Sequence, residues 1–114
     1  MKKLISFLFL FLIGSEVYAI GSIPNAKVKS IRVDKDGRGM IFFNQPVAGT
    51  PPSCVHDAYK SALGIDTNTE AGKAILSLAL TAKSGGFLLS VYGTGTCEIY
   101  GGRIVETWNY GVMY

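Results

Sequence analysis

Cys54-Val55-His56-Asp57 sets a thiol, an imidazole and a carboxylate in consecutive positions, and Cys97 supplies a second thiol. A cysteine and a histidine working as nucleophile and base need a free thiolate. The start of the chain argues against one. Met1-Lys2-Lys3 is basic, Leu4 to Ile13 is an apolar run, and Val17-Tyr18-Ala19 ends on a small residue. That is the layout of a secretory signal peptide, residues 1–19, cleaved after Ala19. In an oxidising compartment Cys54 and Cys97 are expected to pair, stabilising a small domain by roughly 4 kcal/mol. Catalysis at Cys54 is thereby excluded, and the chain is read as no enzyme. Metal binding is the rival use of these residues. Two cysteines and one histidine without a CxxC spacing fall short of a zinc site, so neither metal nor cofactor is expected.

Gly93-Thr94-Gly95-Thr96 has the composition of a phosphate loop. Such a loop needs a helix after it, so that the helix N-terminus meets the anion. Cys97 and a further strand follow here, and the run reads as a strand-to-strand turn. The aromatic residues Tyr92, Tyr100, Trp108, Tyr110 and Tyr114 are more suggestive. On an extended Thr107–Tyr110, Trp108 and Tyr110 share one face while Thr107 and Asn109 share the other. Flat rings beside amide and hydroxyl groups suit stacking on a sugar. Trp108, Tyr110, Tyr92 and Asn109 are therefore the candidate ligand-binding residues; the alternative makes Trp108 and Tyr110 core or subunit-interface residues.

These groups must be held by a small β-rich scaffold. After a short extended lead-in, Ala26–Val33 and Gly39–Asn44 read as strands around an Asp36-Gly37 turn. Gln45–Ser53 is a proline-rich loop, and Ala58–Leu63 a short third strand. Asp66-Thr67-Asn68-Thr69 supplies helix-capping side chains, the helix spans about Thr69 to Ser84, and Gly85-Gly86 stops it. Phe87–Tyr92 and Arg103–Tyr110 complete the strands. The expected class is mostly β with one helix, in the order β-β-β-α-β-β. That order fits a single domain over 20–114 with a five-stranded OB-type (oligosaccharide/oligonucleotide-binding) barrel; a small α+β sandwich is the rival.

The helix carries more apolar surface than one barrel end needs. Lys73, Ser77, Thr81 and Ser84 form a narrow polar stripe, and Leu76 and Leu80 point away from Ile75, Leu78 and Ala82. Either a loop, such as the proline-rich one, covers Leu76 and Leu80 or another subunit does.

The formal net charge is +3, and loss of Lys2, Lys3 and Glu16 with the leader lowers it by one. So mild and scattered a charge, with export, argues against a nucleic-acid partner. No second apolar span follows the leader, so no membrane span is expected after cleavage. The expected location is secreted or periplasmic.

Asp66-Thr67-Asn68-Thr69, Ala71-Gly72-Lys73-Ala74, Ala82-Lys83-Ser84-Gly85 and Gly93-Thr94-Gly95-Thr96-Cys97 together resemble a family of small, secreted, two-cysteine bacterial proteins. The likeness spans Cys54 to Tyr110. That family is similar, more distantly, to the B subunits of subtilase-cytotoxin-type AB toxins, which are OB-fold homopentamers that carry a disulfide and bind sialylated glycans. The resemblance implies an OB fold and a homopentamer whose helices surround a central axis, giving Leu76 and Leu80 a partner at the interface and leaving Lys73, Ser77 and Thr81 near a pore. The sugar-contacting residues of those subunits match no motif here position by position, and none is carried over. Two functions follow as expectations: a toxin-B-subunit-like module for cell-surface glycans, or a periplasmic inhibitor or immunity factor that binds a partner protein.

Overall fold

The computed structural model describes residues 20–114; the expected signal peptide lies outside them. Strands β1 (Gly21–Ala26), β2 (Val28–Val33), β3 (Arg38–Phe43), β4 (Ala48–Gly49) and β5 (Ala62–Asp66) precede the helix α1 (Glu70–Gly85). Strands β6 (Leu89–Gly93) and β7 (Trp108–Met113) follow it. They form two antiparallel sheets, in the orders β4-β1-β6-β7 and β2-β3-β5. The mostly-β class with one helix holds. The strand list does not: the lead-in is a strand, the proline-rich loop contributes β4, and Asp57–Tyr59 forms a 3₁₀ turn that moves the next strand on to Ala62.

Pro24 is accommodated in β1 because pairing with β6 is irregular between Ile23 and Ala26, where Asn25 adopts φ 53°. A residue without an N–H is tolerated at such a bulge. The sheets meet twice. Lys27 alone separates β1 from β2, although the two strands lie in different sheets. A parallel bridge links Gly64 to Thr107, with the Gly64 N–H donating to the Glu106 carbonyl at 2.8 Å. One bridge is not a ladder, so the sheets do not close into a continuous five-stranded barrel.

The core lies between the sheets. Alternation along β3 turns Ile41 and Phe43 inward, where they meet Ile23, Leu63, Val91 and Trp108. Met40 and Phe42 face the other way and are covered by Tyr59, Tyr100, Ile104 and Val105. The run Met40–Phe43 is apolar throughout because both of its faces are covered. The Cys54–Cys97 disulfide forms as expected and ties down that outer cover. Beside it, the Ile104 N–H donates to the Cys54 carbonyl and the His56 N–H to the Ile104 carbonyl, each at 2.9 Å.

Thr69 caps α1, its Oγ1 accepting the Gly72 N–H at 2.9 Å, and Gly86 ends it in the left-handed conformation at φ 69°. The helix lies against β2, β5 and β7. Gly72, Ala79 and Ala82 are its buried residues, while Ile75, Leu76 and Leu78 pack partly against the core. The expected outward pair is thus split. Leu76 touches the chain's own core, and Leu80 remains 49% exposed.

Candidate functional site

The candidate site follows from one extra residue in β7. Tyr92 pairs with Tyr110 and Gly93 with Trp108, so Asn109 has no partner on β6 and forms a β-bulge. A bulge reverses the side-chain alternation, which corrects the expectation that Trp108 and Tyr110 share a face. Trp108 turns inward, is only 5% exposed, and sits 6.1 Å from the Phe43 ring. Tyr110 turns outward, is 52% exposed, and stacks on Tyr92 at 4.5 Å with 19° between the rings.

Cross-strand register continues the row of Tyr110 and Tyr92 through Ser22 to Ala48. Beside it, Ser90 pairs with Val112, and the Ser90 and Tyr114 hydroxyls lie 3.1 Å apart. Because β7 is the edge of its sheet, no neighbouring strand covers the side of Tyr110 away from Tyr92. That side borders a groove of about 420 Å³ between α1 and β7, walled by Ala71, Ala74, Ile75 and Leu78 and floored in part by Trp108. A volume of this order is typical of small-ligand sites. The groove continues past Ala71, Ile75 and Trp108 into a second hollow of about 340 Å³, where Asp66, Thr69, Glu98 and Thr107 supply polar groups.

The four expected ligand-binding residues are therefore brought near one another in different roles. Tyr110 and Asn109 line the groove, Trp108 is core exposed at its floor, and Tyr92 lies behind Tyr110. Lys73 and Ser77 are exposed on α1 and do not line the groove. Lys73 pairs with Glu70 at 3.4 Å, and the Ser77 carbonyl accepts from the Thr81 hydroxyl at 2.8 Å.

His56 is engaged locally, its Nδ1 accepting the Ala58 N–H at 3.1 Å. Neither cysteine is free and no metal-competent cluster occurs among the described residues. No helix among them is long and apolar enough to cross a membrane.

A second polar cluster sits at the β2–β3 turn. The Tyr100 hydroxyl donates to Asp34 at 2.6 Å, Arg32 pairs with Asp34 at 2.8 Å, and the Arg38 guanidinium lies 4.9 Å from the Tyr100 ring centre. The Tyr100 hydroxyl and Arg32 hold the Asp34 carboxyl below its usual range. Burial and the bond to Asp34 push the Tyr100 phenol up to about 12. Every group here is already paired within the chain, so this is a clasp that pins the loop after β6.

Sequence reasoning missed Glu106, which is 1% exposed. Its Oε2 accepts the N–H groups of Gly21 and Gly95, each at 3.0 Å. The glycine-threonine loop after β6 does hold an anion, and it is the chain's own carboxylate. No periodic signal in the sequence marks it, because Ile104 takes φ 72° and packs in the outer cover while Trp108 packs in the core, so no regular alternation runs between them.

Compared with known protein families, curated proteins and solved structures, the chain matches none.

The helix offers a clean test of which leucine is free. Leu80→Glu is expected to change monomer stability by no more than about 0.5 kcal/mol, whereas Leu76→Glu should cost about 1–3 kcal/mol. Urea unfolding of the two variants distinguishes them, and equal losses would place Leu80 in the core.

Proposed function

We propose that this protein is an exported, OB-type binding module that takes a glycan in the groove between α1 and β7. The observation that carries the reading is Tyr110, turned out of the core by the Asn109 bulge and left open over an apolar trough. A ring face suits the C–H face of a sugar, while Asn109 and the Thr107, Asp66 and Glu98 end supply partners for its hydroxyls. The two carboxylates favour hydroxyl-rich neutral sugars over sialylated ones. OB-type topology is supported by the continuity of β1 into β2 and by the parallel contact between β5 and the residues preceding β7. Homo-oligomerisation is supported by the exposed Leu80 on α1, and its pentameric form rests on the resemblance to the toxin B subunits alone.

A glycan array carrying neutral and sialylated oligosaccharides tests the proposal. Tyr110→Ala is expected to weaken binding at least tenfold while changing stability by less than about 1 kcal/mol, since the ring is half exposed. No binding by folded wild-type protein, or binding indifferent to Tyr110→Ala, removes the glycan reading. Light scattering on the same sample reads the assembly, and a monomeric mass removes the oligomer.

The free edge of β7 favours a second reading, a periplasmic inhibitor or immunity factor. Main-chain groups of alternate β7 residues face away from β6, beside apolar helix side chains, as strand addition by a partner protein requires. Slowed amide exchange along Gly111–Met113 in a co-purified complex would support this reading over the glycan one.

A further inference from the structure

We propose that the Glu106 carboxylate is the seat of a primary ammonium, the α-amino group that cleavage after Ala19 leaves on Ile20. Both N–H donors to Glu106 fall on Oε2, and Oε1 is buried with no hydrogen-bond partner. The ion pairs among the described residues use Asp34, Asp36 and Glu70, so Glu106 has no cationic partner there. A buried carboxylate oxygen left without a donor is costly, and such groups are rare in folded proteins. The surroundings are shaped around the carboxylate all the same. A Cβ added to Gly21 would run into Oε1, and one added to Gly93 would run into Oε2. Two strands thus carry glycine where this one side chain enters.

Ile20 stands next to the donor. Its carbonyl accepts the Thr50 N–H at 3.2 Å, which fixes the Ile20–Gly21 peptide so that the Gly21 N–H meets Glu106. Successive backbone nitrogens lie roughly 3–4 Å apart, so the Ile20 nitrogen is within about 7 Å of Oε2. In a continuous chain the Ile20 nitrogen is an amide held by the preceding peptide. Hydrolysis of the Ala19–Ile20 bond adds OH from water to the Ala19 carbonyl carbon and H to the Ile20 nitrogen, which takes a further proton to become an ammonium. The φ restriction imposed by the preceding carbonyl disappears with it. Rotation about the Ile20 Cα–C bond then swings the ammonium to the side of the Gly21 N–H without disturbing the bond to Thr50. Maturation would supply the missing donor and the missing charge together, and the fold would be completed by removal of its leader.

The test expresses the full chain with export and reads the terminus by intact mass. It compares wild type, a variant with Gly-Ser inserted between Ala19 and Ile20, Glu106→Gln, and the combination. Wild type is expected to begin at Ile20. The insertion, with its displaced terminus confirmed by mass, should lower the thermal midpoint by about 5–10 °C. In the Glu106→Gln background the same insertion should have no effect. A different wild-type terminus, equal midpoints for wild type and insertion, or the same loss in both backgrounds overturns the proposal. Should Glu106→Gln fail to fold, reductive methylation replaces the cycle. The α-amino group should react more slowly than the lysines in wild type and at least as fast as them in the insertion variant, and unchanged reactivity overturns the proposal.

Discussion

Replacing Cys54 and Cys97 together with serine is expected to lower the unfolding free energy by about 4 kcal/mol, the chain-entropy contribution of a bond spanning 43 positions. Against the 5–15 kcal/mol typical of a domain, that is a large fraction. The loss is also local. The bond joins the segment before β5 to the loop after β6, and those two segments supply Tyr59 on one side and Tyr100, Ile104 and Val105 on the other to the cover over Met40. Without the bond, the cover is held by the short Val55–Ile104 bridge and the Tyr100–Asp34 clasp. Urea unfolding of the double variant should show a midpoint well below that of wild type, and near-ultraviolet circular dichroism should lose tyrosine signal first. An unchanged midpoint would mean that the packing over β3 is self-sufficient.

Gly72→Ala should reverse the usual sign of a glycine-to-alanine change in a helix. In a helix interior that exchange ordinarily stabilises by about 1 kcal/mol. At Gly72 the added Cβ would run into the Asp66 carbonyl oxygen and crowd the Thr69 Oγ1. Neither can yield cheaply. That carbonyl accepts the Thr69 N–H at 3.2 Å and the Thr69 hydroxyl at 2.8 Å, while Oγ1 caps the helix through the Gly72 N–H itself. The net cost should be about 2–3 kcal/mol, combining overpacking with a damaged cap. Chemical denaturation with a constant m-value checks it, and any gain in stability would show that the first turn shifts freely.

The helix boundaries were legible because they are set by groups within one turn of each other. Thr69 reaches its own N3 amide, and Gly86 takes a conformation that a side chain disfavours. The β2–β3 turn was legible for the same reason, with Gly37 at φ 90°. The disulfide was legible because the sequence has two cysteines and an expected signal peptide ahead of them. The faces of β7 were not legible, because the bulge at Asn109 exists only in the pairing of β7 with β6 and leaves no mark on Thr107-Trp108-Asn109-Tyr110 as a string. The doubly apolar β3 was ambiguous until its outer cover was seen to come from residues far along the chain.

By itself the sequence determined a β-rich chain with one capped helix, two paired cysteines and an aromatic set gathered near the end. Each of these rests on local propensity, turn chemistry or redox environment, which act over a few residues or on composition alone. Tertiary structure decided which aromatic became core and which stayed open, that Leu76 is covered while Leu80 is not, and that Glu106 enters between two glycines. Those outcomes depend on register between strands distant in sequence. A shift of one residue in that register carries a side chain from the interior to the surface.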